Sequence, residues 1–306
     1  MESMRDRFVT TTARLLETNA RLAVVLADIG ISRFAEEGTL DRHPDRFFNV
    51  GIREQLMIGI TAGLALEGLR PIAHSYTPFL VERPFEQLKL DLSHQGVGAV
   101  LVSTGASFDA AASGRTHQAP GDVALVGTLP NWEIYVPGHP DEAELFLRHA
   151  VREDATEGSV YIRLSDASNA DSRPVLPGRI EVVREGGHGA PTLIAVGPTL
   201  DPVTAATDDL DITLLYATTV RPLDATTLRQ SVTGTDVVLV EPYLVGTSTA
   251  AVSEALSDRP HRVMALGVPR QEHRRYGSRR EHEAAHQLDA SGIRRQILEV
   301  LDKRAA

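Results

Sequence analysis

Residues 46–55 read RFFNVGIREQ, and the run LMIGITAGLAL follows them at residues 56–66. Every residue of that run except Thr61 is apolar or small, which predicts a helix buried on all its faces. Asn49 is placed to cap the beginning of this helix, because asparagine accepts hydrogen bonds from first-turn amides. Glu54 lies at the mouth of the helix, where a buried carboxylate is costly unless it is paired or protonated. The alternative is an exposed Glu54 that is favoured only by the helix dipole.

The segment NVGIREQ, residues 49–55, resembles the glutamate motif of the transketolase family, and the similarity continues through GLALEG at residues 63–68. It covers most of residues 5–165. The resemblance implies that Glu54 lies in a pyrimidine-binding domain and contacts N1′ of thiamine diphosphate. The 4′-amino group of that cofactor must become a base to remove the thiazolium C2 proton. A carboxyl group hydrogen-bonded to N1′ favours the imino tautomer that this step requires, so Glu54 would be both catalytic and cofactor-binding.

Composition sets limits on the other classes of function. The chain has 306 residues, 42% of them hydrophobic, which is enough for two α/β domains with separate cores. The formal net charge of −10 argues against a nucleic-acid surface, and the lack of cysteine excludes disulfides and thiol nucleophiles. Residues 1–12 do not resemble a signal peptide, and no stretch of about 18 apolar residues predicts a membrane span. We therefore expect a cytoplasmic protein that binds neither nucleic acid nor membrane.

Residues 22–26, LAVVL, predict a parallel strand that is buried on both faces. Asp28 and Ser32 follow it, and open α/β sheets bind ligands at the carboxyl ends of their strands. The transketolase family has an Asp-x-x-x-Ser pattern at this point. The resemblance implies that Asp28 lies near the cofactor and that Ser32 lies near the phosphate of the substrate. An upstream arginine serves the same phosphate in the family, and Arg5 stands in the matching place.

Residues 70–79, RPIAHSYTPF, contain two aromatic residues three positions apart, Tyr76 and Phe79. Most aromatic pairs are ordinary core packing. The family, however, uses two aromatic side chains at this spacing to stack on the aminopyrimidine of the cofactor. Residues 83–87, RPFEQ, resemble the family's Arg-Ala-Tyr-Asp-Gln, which adds Arg83 to the cofactor-binding candidates.

Residues 97–102, VGAVLV, predict the next buried strand, and a loop rich in small residues follows it. The loop ends in GRTHQ at residues 114–118, similar to the family's Gly-x-Thr-His-Gln. The resemblance implies that His117 faces the substrate as a hydrogen-bond donor or proton shuttle, and is thus catalytic and substrate-binding. Ser113 and Arg163 are the remaining substrate-binding candidates.

Strands that alternate with helices after the polar segment 167–179 predict a second doubly wound domain. We therefore expect an α/β protein with a thiamine-diphosphate pyrimidine-binding domain at residues 1–170 and a transketolase C-terminal-like domain at residues 171–306.

The family's Gly-Asp-Gly motif and its downstream Asn, which hold Mg²⁺ and the diphosphate through oxygen ligands, are not found in this sequence. The chain thus resembles the separate carboxyl-terminal subunit of a split transketolase. Its partner would be an amino-terminal subunit that holds most of the Mg²⁺ site, and the two would form an alpha2beta2 heterotetramer. No metal ligand is assigned to this chain.

The resemblance implies a transferase subunit that moves a two-carbon ketol unit from a ketose donor to an acceptor. Gly105 stands where the family has a histidine, Ser113 where an aspartate is expected, and Asp166 near the place of a phosphate-binding arginine, so we expect poor turnover of ordinary sugar phosphates. Two alternatives remain open. One is the β subunit of a 2-oxoacid dehydrogenase-like or hybrid enzyme that passes a two-carbon unit to a lipoyl or carrier-protein thiol. The other is a non-catalytic assembly subunit.

Overall fold

The computed structural model describes residues 2–152, 158–272 and 274–305. The strands are β1 (Leu22–Leu26), β2 (Phe47–Asn49), β3 (Arg70–Tyr76), β4 (Val100–Thr104), β5 (Trp132–Tyr135), β6 (Ser159–Arg163), β7 (Ile180–Arg184), β8 (Thr192–Val196), β9 (Thr213–Ala217), β10 (Thr219–Arg221), β11 (Asp236–Leu244) and β12 (Arg262–Val268). The α-helices are α1 (Met4–Thr18), α2 (Ile31–Glu36), α3 (Thr39–Arg42), α4 (Glu54–Leu66), α5 (Phe85–Gln87), α6 (Asp122–Val126), α7 (Pro140–Ala150), α8 (Leu200–Ala206), α9 (Ala225–Ser231), α10 (Thr249–Ala255), α11 (Arg279–Ala285) and α12 (Ala290–Ala305). Shorter π-helical segments span Pro78–Glu82 and Leu88–His94, and 3₁₀ turns span Ala111–Ser113, Arg115–His117 and Gly197–Thr199. Within the described ranges, no helix is both long and apolar enough to cross a membrane.

The first sheet has seven strands in the order β10-β5-β6-β4-β3-β1-β2. Its pairings are parallel, apart from the antiparallel pairing of β10 with β5. β1 is apolar throughout because both faces of the sheet are covered. Val24 belongs to a core with α1 and α7, whereas Val25 belongs to a core with α4. The parallel arrangement brings the carboxyl ends of β1, β3 and β4 to one edge of the sheet.

The second sheet has five strands in the order β12-β11-β8-β9-β7. Only β7 runs antiparallel to its neighbour among these described strands. The prediction of an α/β chain with two doubly wound units is confirmed. β10 comes from the second half of the chain but joins the edge of the first sheet. The boundary between residues 170 and 171 stays a prediction.

The helix that follows the glutamate motif begins later than predicted. α4 begins at Glu54 with Arg53 at the cap position, and Asn49 is the last residue of β2. The prediction that Asn49 caps the helix is therefore wrong. Its side chain instead accepts the backbone amide of Asp28 and donates to the carboxylate of Asp28, both at 2.9 Å. Residues 50–53 turn the chain from the sheet edge into the helix, with Gly51 at a φ of +70°.

α4 is buried on one side only. Met57 and Ile58 are fully buried where the helix packs on β1 and β3, whereas Leu56 is 44% exposed and Leu66 is 57% exposed. The prediction of a helix buried on all its faces is wrong for the single chain, because the sheet covers only one side of it.

Candidate active site

Glu54 begins α4, and only 4% of it is exposed. Nη1 of Arg83 donates a hydrogen bond of 2.6 Å to its Oε1. A buried carboxylate needs a partner of this kind, since an unpaired charge in a core is costly. The structure thus excludes the alternative of an exposed Glu54, and it shows a buried carboxylate that is paired with a half-exposed arginine.

Two aromatic side chains form a wall beside Glu54. Tyr76 ends β3, and Phe79 lies in the π-helical segment that follows it. Their ring centroids are 6.2 Å apart, and the planes are nearly perpendicular at 86°. The guanidinium carbon of Arg83 lies 3.9 Å from the centroid of Phe79, so one cation contacts both the carboxylate and the aromatic face.

His117 completes this wall from a different part of the sequence. Its ring centroid lies 5.0 Å from that of Phe79 and 5.7 Å from that of Tyr76. Nδ1 of His117 pairs with Oγ1 of Thr116 at 3.0 Å. The fold thus brings together the carboxylate, the aromatic pair and the imidazole that the motifs predicted. We call the group of Glu54, Tyr76, Phe79, Arg83 and His117 the Glu54 site.

Arg5 borders the Glu54 site at Tyr76, with its guanidinium carbon 5.6 Å from the ring centroid. Burial lowers the pKa of Arg5 below its usual value, although the neighbouring Tyr76 opposes this effect. Among the described residues, none accepts a hydrogen bond from its Nε. A partly buried cation with an unused donor is well suited to bind an anion.

Asp28 and Ser32 lie at the carboxyl end of β1, as predicted, and both are exposed. Asp28 adopts a φ of +63° and is held by Asn49, while Ser32 is in the first turn of α2. Ser113 is exposed on the turn Ala111–Ser113. The predicted cofactor and substrate contacts of these three residues stay predictions.

Arg163 does not fit its predicted role as a substrate contact. Its side chain is buried, and it donates from Nε to Oδ2 of Asp122 at 2.7 Å and from Nη2 to Oγ of Ser107 at 2.6 Å. The hydroxyl of Tyr161 donates to the same oxygen of Asp122 at 2.7 Å. A substrate anion would have to break this buried ion pair, at a high cost. Arg163 instead joins the two ends of the loop that carries His117, since Ser107 is near its beginning and Asp122 follows its end.

Gly105 stands where the family has a histidine, and its surroundings explain why. Its φ is +73°, and an added Cβ would lie 2.5 Å from Cδ1 of Tyr76. A larger residue would therefore displace the tyrosine ring from the Glu54 site. The feature of the sequence that indicates this close approach is the glycine itself, directly after a buried strand.

Two buried titratable residues outside the Glu54 site were not predicted. His74 on β3 lies against Phe8, its Nδ1 pairs with the carbonyl of Val102 at 2.7 Å, and burial lowers its pKa to about 3. The signal that could have found it is a histidine directly after the apolar pair Ile72 and Ala73 in a central strand.

The second is Asp109, which lines a cavity of about 60 Å³ between the two sheets. It accepts hydrogen bonds from Oγ of Ser165 at 3.2 Å and from the amide of Asp166 at 2.9 Å. Arg279 lies 4.0 Å from its carboxylate. Burial raises the pKa of Asp109 to about 7, and the nearby charge of Asp166 adds to that shift.

The chain is similar to several known proteins. Residues 2–169 match the family model described as "Transketolase, pyrimidine binding domain". An uncharacterized 33.6 kDa protein in the fasciation locus of Rhodococcoides fascians is 47% identical, over 96% of this chain and 93% of that protein. One of the subunits of the apulose-4-phosphate transketolase of Actinobacillus succinogenes is 28% identical, over 95% of this chain and 94% of that protein. A 1-deoxy-D-xylulose-5-phosphate synthase of Cupriavidus taiwanensis is 32% identical over 79% of this chain, which spans 40% of the synthase.

Two solved structures are also similar to this chain. A structure described as "Split gene transketolase, inactive beta4 tetramer" has a TM-score of 0.83 at 26% identity, with 98% of each chain covered. The transketolase from Leishmania mexicana has a TM-score of 0.77 at 18% identity, covering 98% of this chain and 46% of that one. The second similarity is one of fold alone.

Proposed function

Because the chain belongs to the transketolase family, we propose that it is the pyrimidine-binding subunit of a thiamine diphosphate-dependent transferase. The enzyme would move a two-carbon ketol unit from a ketose donor to an acceptor carbonyl. The observation that carries this proposal is the convergence of Glu54, Tyr76, Phe79 and His117 from three separate motifs.

The chemistry of the Glu54 site fits an aminopyrimidine ring. A buried carboxylate can hold a proton at a ring nitrogen, and aromatic faces can orient a flat heterocycle. The bound cofactor would supply a nucleophilic carbon at its thiazolium C2. Glu54 would hold the proton at N1′, Tyr76 and Phe79 would fix the plane of the ring, and His117 would donate to or take a proton from a substrate oxygen.

The substrate that we propose for this site carries an anionic group. The unused Nε of Arg5 supports an anionic group on the substrate, and the exposed hydroxyl of Ser32 would be a second donor. Asp166 is also a charged neighbour of Arg5, which favours a substrate other than an ordinary sugar phosphate. A second candidate, a synthase that forms a 1-deoxy sugar phosphate, rests on the 32% identity to the Cupriavidus taiwanensis enzyme.

The proposed partner is an amino-terminal subunit that holds Mg²⁺ and the diphosphate. The relative from Actinobacillus succinogenes, which this chain spans almost completely, is named as one subunit of a transketolase, and this supports a divided enzyme. Ile52 and Leu56, each two residues from Glu54, are exposed apolar residues, and so is Leu66 at the other end of α4. An exposed apolar surface of this kind is typical of an interface. We propose that the partner covers it in an alpha2beta2 assembly.

The test is reconstitution with the product of a neighbouring reading frame that carries a Gly-Asp-Gly motif. Titration calorimetry would measure the binding of thiamine diphosphate with Mg²⁺ to this chain, to the partner and to their mixture. We expect tight, stoichiometric binding only in the mixture, because this chain supplies only the pyrimidine half of the site. Tight binding to this chain alone would refute the divided site, and a mixture without binding would refute the thiamine diphosphate proposal itself. Product analysis with ketose donors then distinguishes the transferase from the synthase.

A further inference from the structure

The guanidinium of Arg83 makes two contacts at once in the Glu54 site. Nη1 donates to Oε1 of Glu54 at 2.6 Å, and the guanidinium carbon lies 3.9 Å from the centroid of the Phe79 ring. A guanidinium is a flat cation whose N–H groups lie in its plane and whose face stacks on aromatic rings. A protonated or hydrogen-bonding aminopyrimidine has the same two properties.

We propose that Arg83 and the aminopyrimidine ring compete for the same place, so that the side chain of Arg83 must leave Glu54 when the ring binds. This inference rests on the proposed function, because that function assigns the carboxylate of Glu54 and the face of Phe79 to the ring. The competition gives Arg83 a role different from the cofactor contact that the family motif implies. Arg83 would occupy the place of the ring until the ring displaces it.

The surroundings of Arg83 allow this exchange. Its backbone is fixed, because its amide donates to the carbonyl of Pro78 at 3.1 Å and its carbonyl accepts from Nε2 of Gln55 at 3.4 Å. Its side chain is 44% exposed, whereas that of Glu54 is only 5% exposed. The arginine can therefore move its charge into water, but Glu54 cannot leave the core. A displaceable donor keeps the buried carboxylate paired until another donor replaces it.

The strength of the competition follows from the exposure of the pair. Ion pairs with one half-exposed partner are weak, and a stacked cation adds a similarly small amount. A ligand that can bind only when this contact is broken has a weaker apparent affinity. Its apparent dissociation constant is the intrinsic one divided by the fraction of molecules in which the contact is broken. We expect this weakening to be about three- to thirty-fold.

The experiment compares the wild-type complex with Arg83→Met, using thiamine diphosphate with Mg²⁺ as the probe and calorimetry as the readout. Methionine keeps much of the length of the side chain but can neither donate to Glu54 nor carry charge. The variant is expected to bind about three- to thirty-fold more tightly than wild type. Arg83→Lys keeps the charge without the planar fork, so it should fall between the two, and it provides the test if Arg83→Met does not fold. The matched control is Arg229→Met, which removes another half-exposed arginine, one that pairs with the exposed Asp258 at 2.6 Å in the second half of the chain.

A double-mutant cycle separates competition for Glu54 from a general effect on the site. In a Glu54→Gln background, the gain in affinity from Arg83→Met should shrink, because the charged acceptor for which Arg83 competes is gone. If wild type binds and the Arg83 variants bind equally or more weakly, the competition is overturned while the proposed function stands. If neither wild type nor any variant binds in the complex, the proposed function is overturned and the competition with it.

Discussion

At the scale of single residues, Glu54 combines burial with the proton-sharing role that we propose for it. Glu54→Gln keeps the size of the side chain and an acceptor for Arg83, so the fold should change little. A neutral amide cannot share a proton with a ring nitrogen, and losing a positioned proton-transfer group slows a reaction by roughly 10²–10⁴-fold. We expect that slowing in the exchange of the C2 proton of bound thiamine diphosphate, measured by NMR in the complex with the partner.

The matched control is Glu67→Gln, at an exposed position just beyond the other end of α4. In this variant the C2 proton of the cofactor should exchange at the wild-type rate. If Glu54→Gln also exchanges at that rate, Glu54 does not activate the cofactor.

Asp109 makes stability depend on pH. Its pKa is about 7 in the folded chain against its usual value of 3.8, so the folded state binds the proton more tightly than the unfolded state. The contribution of this group to stability is therefore present below about pH 4 and is lost as pH rises towards 7. Asp109→Asn keeps an acceptor for Ser165 and cannot ionise. The variant should gain stability over wild type between these pH values, by up to about 4 kcal/mol.

Denaturant unfolding at a series of pH values measures this difference. Asp171→Asn, a substitution of an exposed aspartate, reports the background. A constant difference between Asp109→Asn and wild type from pH 4 to pH 8 would show that Asp109 does not titrate in this range.

At the scale of elements, one buried arginine holds the loop that carries His117. Arg163→Met would leave Asp122 buried with Tyr161 as its remaining donor, and Ser107 would lose its link to β6. Removing one partner of a buried ion pair costs about 3–5 kcal/mol, so we expect a loss of that size in the free energy of unfolding. Urea unfolding measures it.

The variant Asp122→Asn combined with Arg163→Met tests the reason for that loss. The double variant should recover part of the stability, because no uncompensated charge remains in the core. A double variant that is as unstable as the sum of the single variants would show that the ion pair is not the cause.

Among the elements, the central strands could be predicted from the sequence and the edge strands could not. Long apolar runs such as LAVVL mark central strands, because a parallel strand is covered on both faces. The edge strands β2 and β10 have three residues each and no pattern of their own, and β10 exists through its pairing with β5. Asn49 has the residue type of a helix cap but ends such an edge strand, which explains why the cap was misplaced.

The site residues could be predicted where a motif directly follows a strand. They could not be predicted where a side-chain pair between distant parts of the sequence decides what a residue does. Tyr76 ends β3 and His117 lies in the loop after β4, and parallel strands bring such ends to one edge. Arg163 and Asp122 are 41 residues apart, and no local pattern shows that they pair. Asp109 was missed for the same reason, since its burial depends on contacts with the second half of the chain.

At the scale of the whole molecule, the apolar face of α4 has no counterpart in the described part of the chain. The sequence indicates complete burial of this helix, whereas Leu56 and Leu66 are exposed in the single chain. Both observations agree if the helix is buried in the assembled protein. Leu56 lies two residues from Glu54, so a partner that covers this face of α4 would also reach the candidate active site.

Leu56→Glu tests this interpretation, because it places a charge in the middle of the proposed interface while leaving a surface position in the single chain. Burying a leucine stabilises an interface by about 1.5–3 kcal/mol, and a buried unpaired carboxylate adds a further cost. The dissociation constant of the complex with the partner should therefore rise by at least about tenfold. Leu176→Glu, at an exposed leucine in the chain segment between β6 and β7, is the matched control and should assemble like wild type. Light scattering after size-exclusion chromatography measures both. If Leu56→Glu assembles as tightly as the control, the partner does not cover α4, and the exposed face of this helix needs another explanation.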